Sequence, residues 1–241
     1  MSYENKKTQI KVGVIFKIIA VVASIYGMFA TSDGIMSLTF FTNLSNIWID
    51  IILIIFAVLD IIFLYTKGER NLKNNTMYII KFMLTISITL TFLIYLCILA
   101  PTSPNGPIGA YLSGNCGSLC VHFITPVIAV LDFFVFDYQY KSNKIHAVYA
   151  VIPPLAYVLF IVILGQCGVR WFGNMMAPYN FINYGAKTGW FGFDLSQFSQ
   201  NSLGIGVAYM IVGLVIIFIG IGSLYLAIKN MVQKRQMSLK A

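Results

Sequence analysis

Residues 39–65 read TFFTNLSNIWIDIILIIFAVLDIIFLY. Beyond Asn46 the stretch is almost continuously apolar, and its only charged side chains are Asp50 and Asp60. A helix that crosses a bilayer needs about 20 such residues. Inside lipid every backbone polar group must be paired within its own segment, so a run of this length is predicted to be a membrane-spanning helix. Its opening has a different character. Thr42, Asn43, Ser45 and Asn46 crowd four polar side chains into five positions. Thr42, Ser45 and Asn46 stand at i, i+3 and i+4 and therefore share one helix face. That face suits a bundle interior or a wet cavity, not acyl chains.

Outward from this segment, comparable runs occupy roughly 10–30, 77–100, 118–137, 146–166 and 204–228. With 39–65 they make six spans. The expected fold is an all-α membrane protein, a six-transmembrane helix bundle formed by a single integral-membrane domain over residues 1–241. The first run has charged flanks, full spanning length and no small-residue cleavage site, so it does not read as a cleaved signal peptide. Composition agrees. The 241-residue chain is 59% hydrophobic and only 10% charged, against about 25% charged in soluble domains. Too few charges remain to cover a water-facing surface, which excludes a soluble enzyme, a disordered chain and a nucleic-acid-binding domain.

The net charge of +8 instead encodes orientation. Of 16 Lys and Arg residues, 14 fall at one end of the predicted spans: Lys6, Lys7, Lys11, Lys17, Lys67, Arg70, Lys73, Lys81, Lys141, Lys144, Lys229, Lys234, Arg235 and Lys240. Arg170 and Lys187 alone lie at the other. Both termini are therefore expected in the cytoplasm of a plasma-membrane protein, with loops 31–38, 101–117 and 167–203 outside. The last of these is long and carries Arg170, Trp171, Tyr179, Tyr184, Trp190 and Phe193. Long ordered loops often bind ligands, and aromatic residues also line membrane interfaces. Arg170, Trp171, Tyr179 and Trp190 are candidate lipid or loop contacts on either view. Cys97, Cys116, Cys120 and Cys167 all fall toward the outer side. Cys116–Cys167 is a possible disulfide, though packing as small hydrophobes is the favoured alternative. Their spacing does not suit zinc.

Ionisable groups within spans are costly and are functional candidates for that reason. Here they are Asp50, Asp60, His122, Asp132 and Lys81. The second and fourth spans run in the same direction, and counting at ~1.5 Å per residue puts Thr42 and His122 both roughly 6 Å below the outer boundary. A hydroxyl and an imidazole at one depth can form a nucleophile–base pair. Pro126 lacks an N–H, so the carbonyl of His122 is expected to lose its helical partner and the helix to bend. Asp50 and Asp132 lie about 12 and 15 Å deeper. They are too deep to orient His122, and could face each other and share a proton on a cation path. Asp60 is expected near Lys81, and His146 at the cytoplasmic interface. Glycines 204, 206, 213, 220 and 222 suggest close helix packing in the last span.

Three segments resemble a known family. Phe41-Thr42-Asn43-Leu44-Ser45-Asn46 resembles the FT-x-x-SN opening of a family of bacterial six-span membrane proteins. His122-x3-Pro126-x5-Asp132 resembles its H-x3-P-x5-D segment. Ala177-Pro178-Tyr179-Asn180-Phe181 looks like its Y-P-Y-x-F loop motif, with Ala177 in place of the first Tyr. That family is similar to the androgen-induced gene 1 and androgen-dependent TFPI-regulating proteins, membrane threonine hydrolases of fatty acid esters of hydroxy fatty acids. The resemblance implies Thr42 as nucleophile and His122 as base.

On that reading His122 deprotonates Thr42, an acyl–threonine forms, and Asn43, Asn46 or a loop N–H holds the oxyanion. Ser45 is the substitute nucleophile. No metal or other cofactor is required; the partners are a lipid or fatty-acyl ester substrate and membrane lipids. Two alternatives stand beside it: a non-catalytic lipid- or partner-binding membrane protein, and a proton- or cation-coupled transporter using the buried acids Asp50 and Asp132.

Overall fold

The computed structural model describes residues 3–101, 103–112, 115–199 and 201–238. Lys240, counted above with the basic end, lies outside them. The described residues form helices joined by loops, with no β-strand among them. Six helices are long and apolar enough to cross a membrane: Lys6–Thr31, Phe41–Tyr65, Asn75–Cys97, Gly117–Phe136, His146–Gln166 and Val207–Arg235. They match the six apolar runs, because a long apolar run has no other way to pair its backbone in lipid.

Local chemistry sets their ends. Asn74 caps the third span by accepting from the Met77 N–H at 3.0 Å. The fifth is broken after Tyr149 and resumes at Ile152 with Pro153 and Pro154 in its first turn. It ends where Gly168 takes φ +93. The sixth begins at Val207, later than the apolar run suggests, because Gly204 (φ +72) and a bridge from Ile205 to Phe193 keep that stretch in the loop.

The first four spans close a ring. The first packs on the second, the second on the third, the third on the fourth and the fourth back on the first. The fifth and sixth lie outside this ring, against the third and against each other. Large apolar side chains such as Val22, Ile51, Val135, Leu159 and Ile216 face outward and remain exposed. The first and fourth spans approach closely at Gly27 and Gly117. A Cβ on Gly27 would stand 2.8 Å from the Gly117 carbonyl oxygen, and one on Gly117 would stand 2.7 Å from Ala30 Cβ. The last span does not use its glycines in this way throughout. Gly222 approaches Ala147, but Gly213 and Gly220 face open space, so the packing expected of them is absent.

The ring interior is polar at both ends and apolar between. Leu53, Phe56 and Ala129 are fully buried in the turns that separate the two polar layers.

Candidate functional site

One polar layer lies toward the end that carries residues 31–40, 103–112, 115–116, 167–199 and 201–206. It is built around two π-turns, Tyr95–Leu99 and Cys120–Ile124. The second has a clear cause. Thr125 N–H bonds back five residues to the Cys120 carbonyl. Pro126 has no N–H to offer the next acceptor. The Val121 carbonyl is thereby released, and Asn46 Nδ2 takes it at 3.2 Å. A freed carbonyl was expected at His122; the π-turn presents that of Val121.

Asn46 Nδ2 also donates to the Thr42 carbonyl at 2.8 Å. One amide nitrogen thus brings the Thr42 and Val121 carbonyl oxygens within about 6 Å of each other. Ser45 Oγ and Thr91 Oγ1 pair at 2.9 Å. One turn from each toward the loops stand Thr42 and Tyr95. The His122 ring stacks on Tyr95, with centroids 3.8 Å apart and planes 16° from parallel. Thr42, Tyr95 and His122 therefore occupy one level, although among the described residues no hydrogen bond joins Thr42 to His122.

The proton position on His122 follows from its neighbours. Tyr95 Oη donates to the Ala110 carbonyl, so Ser118 Oγ must donate to Tyr95 Oη. Ser118 then offers His122 Nδ1 only acceptors, its carbonyl at 3.1 Å and its Oγ at 3.3 Å. Nδ1 carries the hydrogen and Nε2 is left as the acceptor.

Thr42 is half-buried at the start of its helix. Its hydroxyl meets Tyr179, whose oxygen also accepts from Phe41 N–H at 3.1 Å. Burial pushes the Tyr179 phenol up to about 12, partly offset by these donors. Asn43 donates to the Ser37 carbonyl at 2.7 Å. Asn46 has both amide hydrogens committed, so an oxyanion-donor role would break at least one of these bonds. Ser45 is fully buried and donates to the Thr42 carbonyl at 3.0 Å.

The loop residues bind the protein itself. Arg170 donates to the Gly165 and Val169 carbonyls and caps the fifth span. Buried Trp171 donates to Thr39 Oγ1 at 2.9 Å, and Trp190 stacks on Tyr184. Apolar exposure comes instead from Phe172, Phe191, Phe193 and Phe198. All four cysteines are free thiols.

The other polar layer lies at the lysine-rich end and departs from expectation. Asp132 is paired with Lys17 at 2.8 Å and Lys81 at 2.5 Å. It does not face Asp50, whose Oδ2 accepts from Ser24 Oγ at 2.6 Å in the first layer. Asp60 meets Lys17 and Lys73 rather than Lys81. Lys81 Nζ stands 2.6 Å from Asp137 Oδ2, out of line for a hydrogen bond. Lys229 caps the fourth span through the Phe133 and Phe134 carbonyls at 2.6 and 3.1 Å. A cavity of about 20 Å³ beside Lys17, Asp60 and Lys73 has room for one water. His146, expected at the interface, is buried and bonded to Tyr140 at 2.7 Å. Sequence reasoning assigned Lys17 to orientation alone and passed over Tyr95, Ser118 and Ser24. Three hydroxyls and a cation within the apolar runs were the available signal.

The class defined by these features is a multi-pass helical membrane protein. Compared with known proteins, the chain matches no family model, no curated protein and no solved structure.

Proposed function

We propose that the protein is a plasma-membrane hydrolase of lipid esters, with Thr42 as nucleophile and His122 as base. Both termini lie in the cytoplasm, as the basic residues gathered at one end indicate, and the site opens toward the outer leaflet. The observation that supports the reading is the tautomeric lock on His122, which commits Nδ1 to Ser118 and leaves Nε2 without a hydrogen, free to act as a base.

The reaction follows from these groups. With substrate bound, the Thr42 hydroxyl turns from Tyr179 to His122 Nε2, which takes its proton as the oxygen attacks the ester carbonyl. The tetrahedral oxyanion forms beside the first-turn N–H groups of the second span, a site that favours negative charge. The imidazolium returns its proton to the departing alkoxide, releasing the alcohol and leaving an acyl–threonine. His122 then takes a proton from a water as its oxygen attacks the acyl–threonine, and returns that proton to Thr42 Oγ as the fatty acid leaves. The exposed phenylalanines of the long loop provide an apolar rim for the acyl chain. The transporter alternative has less support, because buried Leu53, Phe56 and Ala129 close the path between Asp50 and Asp132.

The test is turnover of a long-chain ester by protein in liposomes. Thr42→Ala and His122→Ala should each lower the rate at least 100-fold, on the order expected for general base catalysis. Ser45→Ala should retain it. Full activity in the Thr42 or His122 variant would remove the proposal.

A further inference from the structure

A second cluster lies one turn and more below Thr42, where the first, second and fourth spans meet. Ser24 Oγ stands 2.6 Å from Asp50 Oδ2 and 3.2 Å from Asn46 Oδ1. Asn46 and Asp50, at i and i+4, share a face. The orientation of Asn46 is fixed, since its nitrogen holds the Thr42 and Val121 carbonyls. Its oxygen must therefore face Ser24. Ser24 is fully buried, Asn46 fully buried, and Asp50 only 5% exposed.

The hydrogen count does not close. Four oxygens converge: two from Asp50, one from Ser24 and one from Asn46. Ser24 supplies a single hydrogen for two acceptors. Asp50 Oδ1 is buried and has no hydrogen-bond partner. The charge does not close either. A bare carboxylate inside a bundle is costly, and the buried ammonium of Lys17 is committed to Asp132 and Asp60. One positive charge is missing from the cluster. A proton on Oδ2 would supply it and could donate to Ser24, yet it would leave Oδ1 bare. A cation lying against the carboxylate would use Oδ1 together with the hydroxyl and amide oxygens. Oxygen ligands suit a hard cation, and a single carboxylate balances a monovalent one.

We propose that Asp50, Ser24 and Asn46 form a binding site for a small monovalent cation, Na⁺, which competes with a proton for the Asp50 carboxylate. Binding exchanges one proton for one Na⁺, so the charge of the cluster is unchanged. The site is independent of the hydrolase reading. It ties three spans together through Ser24 of the first, Asn46 and Asp50 of the second, and the Val121 carbonyl held by Asn46.

The experiment is thermal unfolding of the purified full chain in detergent, with NaCl exchanged for KCl or N-methylglucamine chloride at constant ionic strength. Above its dissociation constant, each tenfold rise in Na⁺ should raise Tm by about 3–6 °C at mildly alkaline pH. The rise should shrink at mildly acidic pH, where the proton competes, and should be smaller with K⁺. Asp50→Asn, which mimics the neutral acid, should lose the Na⁺ response. Should that variant fail to fold, Ser24→Ala decides: at least a tenfold higher Na⁺ concentration for the half-maximal shift supports the site, and an unchanged one overturns it. A Tm that depends on pH but not on Na⁺ in the native chain overturns it, and so does an Na⁺ response that survives in Asp50→Asn.

Discussion

Asp132→Asn is predicted to be the most damaging conservative change in the protein. The native carboxylate is completely buried and accepts from two ammonium groups, Lys17 at 2.8 Å and Lys81 at 2.5 Å. An asparagine keeps the shape but removes the charge, and it turns an NH₂ group toward one of the two cations. Asp60 and Asp137 then remain to balance Lys17, Lys73, Lys81 and Lys229. Breaking a buried ion pair by removing one partner costs about 3–5 kcal/mol, because the other charge stays buried without compensation. In a chain of this size 1 kcal/mol moves Tm by about 2–4 °C, so Tm should fall by about 6–20 °C. The assay is tryptophan fluorescence during heating in detergent, for Asp132→Asn, Lys81→Met and the double variant. Partners in contact are non-additive, so the double variant should be less damaged than the sum of the two. A shift under about 2 °C for Asp132→Asn, or strict additivity, would refute the assignment of this network as an interdependent unit.

Other expectations follow from single contacts. Gly27→Ala puts a methyl against the Gly117 carbonyl, Cys120 and Val121 and should cost about 1–3 kcal/mol, read as a lower Tm. Arg170→Ala removes the cap of the fifth span and should cost about 0.3–1 kcal/mol, measured by the same melt. Tyr179 has a folded pKa near 12, above the ordinary phenol value of about 10. Its contribution to stability is complete below about pH 10 and is lost as pH rises toward 12, where the unfolded chain releases the proton first. A tyrosinate absorbance titration of Tyr179→Phe should therefore lack one late-titrating phenol, and its alkaline destabilisation should be weaker.

The spans were legible because their signal is local. An apolar run such as 39–65 has few ways to satisfy its backbone in lipid, so its length alone locates the helix. The level shared by Thr42 and His122 was also legible, although counting residues placed it by accident of two offsets. Thr42 is in the first turn of its helix, whereas His122 follows an extra turn that begins at Gly117. The hydrogen bonds of Asn46, not residue counts, bring the two segments level. Pairing of the buried charges was not legible. Whether Asp132 meets Asp50, Lys17 or Lys81 depends on how far each helix is rotated about its axis, and that is set by contacts such as Gly27 with Gly117 between distant parts of the chain. The π-turns were half legible. Pro126 announced a lost hydrogen bond, but which carbonyl was released depended on Thr125 bonding five residues back instead of four.

The proposed hydrolysis depends on activation of the Thr42 hydroxyl by His122. Its most direct test is reaction of the membrane-embedded protein with a serine/threonine-directed fluorophosphonate, followed by peptide mapping of the adduct. One phosphonyl group is expected on Thr42, absent in Thr42→Ala and at least 100-fold slower to form in His122→Ala. An adduct on another residue, or equal labelling in the His122 variant, would contradict it.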